Sequence, residues 1–456
     1  MPSPTLLLFS LISLFGHCYA YTTTLSLSPT AVAPPPTTNP WQRLNHLATA
    51  SATRAHQLKH PKTNISTTKV PLFPRGYGGY SISLRLGTPP QTLSFVMDTG
   101  SSLVWSPCTH RYSCSSCNFV NVNSANISTF IPKSSSSSKI VGCKNPKCNW
   151  VFPNAHCTNC TKNSATCTEA CPPYIIQYGS GSTTGLLLSE TLTFPKKTVN
   201  NFMFGCSLFS SRQPSGIAGF GRGPESLPVQ MGLKKFSYCL VSHRFDDAPV
   251  SSDLVLVSGG GGAATAGISY TPFRKNPISS DPTFQDYYYV TLRKITVGGV
   301  NVKAPYKFLV ADSDGNGGTI VDSGTTFSFM ESKIFELVAE EFEKQVGKIY
   351  SRAREVENES GLRPCFNVSG ENSVILPQLI FHFKGGAKMV LPLGDYFSFL
   401  DESVICMTIV SGNGSGGGSG VGPGPAIILG NYQQQNLYIE YDLENEKLGF
   451  KKQLCK

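Results

Sequence analysis

The sequence predicts a mainly β protein folded as two related lobes around a deep cleft, and three observations carry that expectation. The chain of 456 residues holds 40% hydrophobic against 14% charged residues, a balance that fills cores and argues against a disordered or fibrous chain. Thr, Ser, Val, Gly and Pro divide it into short segments, and long patterns of helical period are scarce. An apolar run ending in Asp, Thr or Ser, and Gly occurs twice, in FVMDTGSSLVW at 95–105 and IVDSGTTFSFM at 320–330.

Taken in order, the N-terminus is a targeting signal. Leu6 to Phe15 is almost continuously apolar and ends in the small or polar residues Cys18-Tyr19-Ala20, the shape of a secretory h-region and cleavage site, so 1–20 is expected to be removed. No later stretch is long and apolar enough to span a bilayer, and the end FKKQLCK is too polar for a lipid-anchor tail. The expected destination is the secretory pathway, ending outside the cell, in the wall or in the vacuole, without stable membrane insertion.

Residues 21–75 are expected to form a propeptide. Trp41, Leu44, Ala48, Ala52, Ala55 and Leu58 recur at helical spacing with Arg43, Arg54 and Lys59 between them. A basic helix suits a removable plug, because its cations pair with carboxylates at neutral pH and lose those partners as the carboxylates protonate. Maturation is expected between Lys69 and Tyr77. The first 75 residues carry six basic and no acidic residues; removing six from 38 leaves 32 basic against 28 acidic. The net charge of +10 therefore belongs mostly to the leader. No basic stripe with interleaved aromatics follows, which argues against nucleic acid as a partner.

The cysteines agree with an oxidising compartment. Once Cys18 leaves with the signal, 14 remain: Cys108, Cys114, Cys117, Cys143, Cys148, Cys157, Cys160, Cys167, Cys171, Cys206, Cys239, Cys365, Cys406 and Cys455. Nine crowd between Cys108 and Cys171, so at least one of that group pairs outside it or stays free. Spacing alone does not give connectivity, and in a secreted chain disulfides outweigh zinc. Sequons at Asn64, Asn126, Asn159, Asn358, Asn367 and Asn413 suit a glycoprotein, although a Ser/Thr-rich chain yields several by chance.

The repeat extends beyond the two triads. YSISLRLGTPPQTLSFVMDTGSSLVW and YYVTLRKITVGGVNVKAPYKFLVADSDGNGGTIVDSGTTFSF each run from an aromatic through alternating apolar residues and Leu-Arg to Asp98 or Asp322. Each half later returns to an apolar-Gly segment, GIAGFG around Gly219 and AIILGN around Gly430. One Asp-Thr-Gly is an ordinary turn. Two carboxyls facing across a lobe interface are different, because they cannot comfortably both ionise and so share a proton. One can then take a proton from water while the other gives one to a peptide carbonyl oxygen, which makes acid the working range. Gly100 and Gly324 let the backbones approach, and Ser101 and Thr325 can hold the outer carboxylate oxygens.

On these residues the chain resembles the pepsin-family aspartic endopeptidases, and within them the nepenthesin-like branch of plants. The two Asp loops, the two apolar-Gly segments and QYGSGSTTG at 177–185 carry the resemblance. It implies a bilobal pepsin-like fold made as a zymogen, with Asp98 and Asp322 catalytic and no cofactor. Tyr178 and Gly179 fall in the family's flap, and Trp105 stands where a tryptophan supports the flap tyrosine. The Cys-rich stretch resembles the branch's insertion, Cys365 and Cys406 its second-lobe pair. Cys239 with Cys455 is a further expectation. Ser323 departs from the commoner Thr, a mild change since both offer a hydroxyl. The implied partner is a peptide or protein substrate, with preference for bulky apolar residues; the sequence leaves the oligomeric state open, with a monomer as the default expectation.

Domain limits follow. The N-terminal catalytic lobe is expected at 76–275, with its insertion at 108–171, and the C-terminal lobe at 276–456, joined where YTPFRKNPISSDPTF is rich in breakers. SGNGSGGGSGVGPGP is expected to be a flexible hairpin tip. Asp312-Ser-Asp314-Gly imitates a calcium loop, but its twelfth position is Ser323 instead of Glu, so a plain Asp/Gly turn is expected and no metal. The rival reading is a catalytically silent binding protein or inhibitor of wall-degrading enzymes on the same fold; the two intact Asp loops count against it.

Overall fold

The computed structural model of the protein describes residues 66–75, 77–117, 127–153, 155–157, 168–194, 197–213, 215–242, 250–259, 265–278, 282–400, 402–411 and 424–456. The signal, the amphipathic leader helix, Asn64, Asn126, Asn159, Asn413, Cys160, Cys167 and most of the Gly/Ser run lie outside the described residues.

Each half builds the same crossing of strands. In the first, the strand Gln91–Asp98 ends on the aspartate itself, and Gly216–Gly219 pairs with it in parallel so that Gly219 lies opposite Asp98. Trp105 crosses antiparallel to Ile217. In the second, Thr319–Val321 leads into Asp322 and pairs in parallel with Ile427–Leu429, which Ser328–Met330 meets antiparallel. These strands read as continuous apolar runs because both their faces are covered: the successive residues Phe95, Val96 and Met97, Ile217 and Ala218, and Ile320 and Val321 are all buried. The mainly β, pepsin-like class and the sequence duplication thus meet in one register.

Beneath the crossings a sheet joins the halves, running in order Ser269–Pro272, Lys447–Lys452, Leu437–Asp442, Lys235–Cys239, Ser252–Ser258 and Ser66–Pro74. Its last strand falls inside 21–75. Thr68, Val70, Leu72 and Pro74 are buried while Thr67, Lys69 and Pro71 are exposed, the period-2 alternation of a half-covered strand. Seven residues of this strand pair antiparallel with Ser252–Ser258.

Disulfides tie the periphery to this frame. Cys108 pairs with Cys206, which gives the odd cysteine of the crowded group its outside partner. Cys114 pairs with Cys117, Cys143 with Cys157 and Cys148 with Cys171. Cys239 bridges to Cys455 over 216 residues, and Cys365 to Cys406. Asn358 and Asn367 are exposed. Among the described residues no helix is long and apolar enough to cross a membrane.

Candidate functional site

The ends of the two parallel strand pairs put Asp98 and Asp322 side by side, 7% and 8% exposed. Each loop dresses its aspartate identically. The Gly100 N–H donates to Asp98 Oδ1 at 2.8 Å and the Ser101 hydroxyl to Oδ2 at 2.5 Å. The Gly324 N–H donates to Asp322 Oδ1 at 2.8 Å and the Thr325 hydroxyl to Oδ2 at 2.5 Å. Neither glycine can be replaced without conflict, because a Cβ on Gly100 would lie 2.7 Å from Asp322 Cγ and one on Gly324 would lie 2.3 Å from Asp98 Oδ1. Each glycine is therefore the floor on which the opposite carboxyl rests.

The loops are also locked to each other by residues that sequence reasoning passed over. The Thr99 N–H donates to Ser323 Oγ at 3.1 Å and the Ser323 N–H to Thr99 Oγ1 at 2.9 Å. The hydroxyls then continue outward, Thr99 Oγ1 to the Val321 carbonyl and Ser323 Oγ to the Met97 carbonyl. Ser323, met as a departure, supplies the hydroxyl this reciprocal clasp requires. Gly78 joins the second loop as well, its carbonyl accepting from Thr326 Oγ1 and Asn431 Nδ2 at 2.9 Å each.

Burial, and next the neighbouring Asp322 charge, push the Asp98 carboxyl well above the usual carboxylate range, against the pull of Ser101 and Gly100. A pair so placed keeps one proton between its members.

Over the dyad sits the hairpin formed by Tyr174–Gln177 and Ser182–Phe194. At its turn the Tyr178 N–H donates to the Gly181 carbonyl at 2.9 Å, and the Trp105 Nε1–H donates to the Tyr178 phenol oxygen at 2.7 Å. Trp105 itself is fully buried. Gln213, buried and unmarked by any motif, donates from Nε2 to the Ser180 carbonyl at 2.7 Å and holds the turn from the side.

A cleft of about 1470 Å³ contains Asp98, Asp322, Tyr178 and Gly179. Glu225 and Asp286 also line it, and burial pushes their carboxyls up to about 7 and about 6, Asp286 adding to the rise at Glu225. No group of His, Cys, Asp and Glu fit to hold a metal occurs among the described residues. Asp312 Oδ1 accepts from the Asp314 and Asn316 N–H groups, the geometry of an Asx turn.

Comparison with known proteins agrees with this geometry. Residues 80–256 match the family described as "Xylanase inhibitor N-terminal" and 287–452 "Xylanase inhibitor C-terminal". A probable aspartyl protease of Arabidopsis thaliana is 34% identical over 82% of this chain and 82% of its own. The aspartic proteinase nepenthesin-2 of Nepenthes gracilis is 34% identical over 83% of this chain and 78% of its own, and nepenthesin-1 is 32% identical over 83% and 79%. The fold matches a crystal structure of EDGP with TM-score 0.64 at 19% identity, covering 87% of this chain and 97% of that one. It also matches soybean basic 7S globulin with TM-score 0.61 at 20% identity, covering 85% and 96%. The chain belongs to the pepsin-like aspartic protease family of plants.

Proposed function

We propose that the protein is a secreted aspartic endopeptidase that hydrolyses peptide bonds at acidic pH. The observation that carries this reading is the mirror-image dressing of two buried carboxyls that touch each other's glycine. The ionised carboxylate takes a proton from a water molecule whose oxygen attacks the peptide carbonyl carbon. The protonated carboxyl gives its proton to the carbonyl oxygen, forming a tetrahedral diol. Its collapse breaks the C–N bond as the amine nitrogen receives a proton from one carboxyl while a diol hydroxyl gives its proton to the other, which returns the dyad to its single shared proton. Tyr178 closes over an extended substrate, Trp105 holding its phenol. Gly100, Ser101, Gly324 and Thr325 keep the carboxyls fixed and turned toward each other.

The leader 1–20, the disulfide-rich periphery and the exposed sequons Asn358 and Asn367 support entry into the secretory pathway as a zymogen and glycoprotein. Cell fractionation with sequencing of the mature N-terminus tests this; recovery of an uncleaved chain from cytosol would sink it.

A second reading is a binding protein, favoured by the xylanase-inhibitor description of both matched halves. The two readings separate on one assay. Acid-treated protein should digest denatured globin, and a pepstatin-type inhibitor should stop it. Inert protein that instead retains a stoichiometric wall-degrading enzyme on a column would establish the binder.

A further inference from the structure

The middle of the Cys-rich insertion forms part of the wall of the cleft. Trp150 and Phe152 line the same space as Asp98 and Asp322, beside Ile176 and Tyr178 of the flap hairpin. They belong to a short helix, Cys148–Val151, and the turn that ends it, where the Phe152 N–H donates to the Cys148 carbonyl at 2.9 Å. Both rings are only partly buried, so each presents hydrocarbon to the cleft.

This wall is held rigidly. Cys143–Cys157 closes the loop in which the two aromatics sit, and Cys148–Cys171 fastens the start of the helix to the chain entering the flap strand. Backbone bonds from Cys143 to the Glu169 carbonyl and from Cys171 to the Val141 carbonyl, each 2.8 Å, add a third tie. Both rings pack against the buried cluster that includes Trp105, Tyr174 and Ile217. The Lys147 ammonium lies 4.9 Å from the Trp150 ring centre and donates to the Asn201 carbonyl. Arg222, Glu225 and Asp286 also line the cleft. The cleft thus has, besides its ionisable groups, a stapled and partly open aromatic surface in its wall.

We propose that Trp150 and Phe152 form an apolar subsite that receives one bulky hydrocarbon side chain of the substrate, which makes the insertion a specificity-determining element. The proposal rests on the peptidase reading for its occupant, so its test must not depend on cleavage. Peptides of eight residues with a Ser/Ala background and a single Phe moved through each position are titrated by fluorescence anisotropy into the Asp98→Asn protein. At one position Phe should bind about tenfold more tightly than Ala, the scale of discrimination a hydrophobic pocket gives. In Asp98→Asn carrying Trp150→Ala and Phe152→Ala that preference should shrink below about twofold, while Trp150→Phe keeps most of it. The milder Phe152→Val, expected to lose about threefold, decides the matter should the double variant fail to fold. A Phe preference unchanged by these substitutions, or absent from the parent protein, overturns the subsite. Globin digestion by the wild type judges the peptidase reading separately, since binding does not need turnover.

Discussion

At the residue scale, the site works by contacts too close to admit any other atom. Gly324→Ala puts a methyl 2.3 Å from Asp98 Oδ1, so we expect a folded protein with activity reduced about 10²-fold or more, as misplacement by an ångström does. The clasp gives a different signature. Ser323→Ala leaves the buried Thr99 N–H without an acceptor, which costs about 1–3 kcal/mol. We expect the melting temperature to fall by several degrees; an unchanged melt would mean the clasp is not structural. Gln213→Ala releases the Ser180 carbonyl. The loss of about 1 kcal/mol should appear mainly as a KM raised roughly fivefold, with kcat less affected.

The aspartates and their glycines could be read in the sequence because Asp98-Thr-Gly and Asp322-Ser-Gly are contiguous and repeated. The clasp could not, because Thr99 and Ser323 meet across 224 residues and each looks like an ordinary hydroxyl in a turn. Gln213 carried no signal: its partner is a backbone carbonyl, which any sequence supplies.

At the element scale, the flap was legible through the likeness of QYGSGSTTG to the family's flap, and the chain forms a hairpin there. Ser66–Pro74 was not. Its buried positions alternate correctly, yet Pro71 and Pro74 demote a strand reading. The basic character of the leader drew the same residues into it. The pairing now points to a mature N-terminus ahead of Ser66, because losing Val70 and Leu72 from the sheet would cost about 1.5–3 kcal/mol for each side chain. Sequencing the processed protein should find that terminus; one between Lys69 and Tyr77 would mean the strand is given up on maturation. The insertion was legible as a disulfide knot but not as a cleft wall, because spacing fixes neither the pairs nor the direction in which the loop folds back.

At the scale of the whole molecule, several buried carboxyls favour acid. Burial pushes Asp395 up to about 8, Lys452 opposing the rise, and its Oδ2 has no hydrogen-bond partner. Asp286 and Glu225, at about 6 and about 7, and Asp98 are raised as well. A carboxyl whose folded pKa lies above its unfolded value leaves the folded chain holding more protons, so stability is greatest below the unfolded value near 4 and falls as pH climbs through the folded one. We therefore expect the melting temperature to drop steadily from about pH 4 to pH 8. Asp395→Asn should flatten the upper part of that decline, and a slope unchanged by it would remove Asp395 from the account. The two-lobed plan itself was legible, since duplication of a whole strand pattern survives even where single segments mislead.

The proton shared by the two aspartates is best examined by kcat/KM on a denatured protein substrate from pH 2 to 7, for the wild type beside Asp98→Asn and Asp322→Asn. A single maximum in acid, with each substitution lowering the rate about 10³-fold or more across the whole range, is the expected result. Activity that persists in either variant, or that peaks at neutral pH, would contradict the pair as the source of the chemistry.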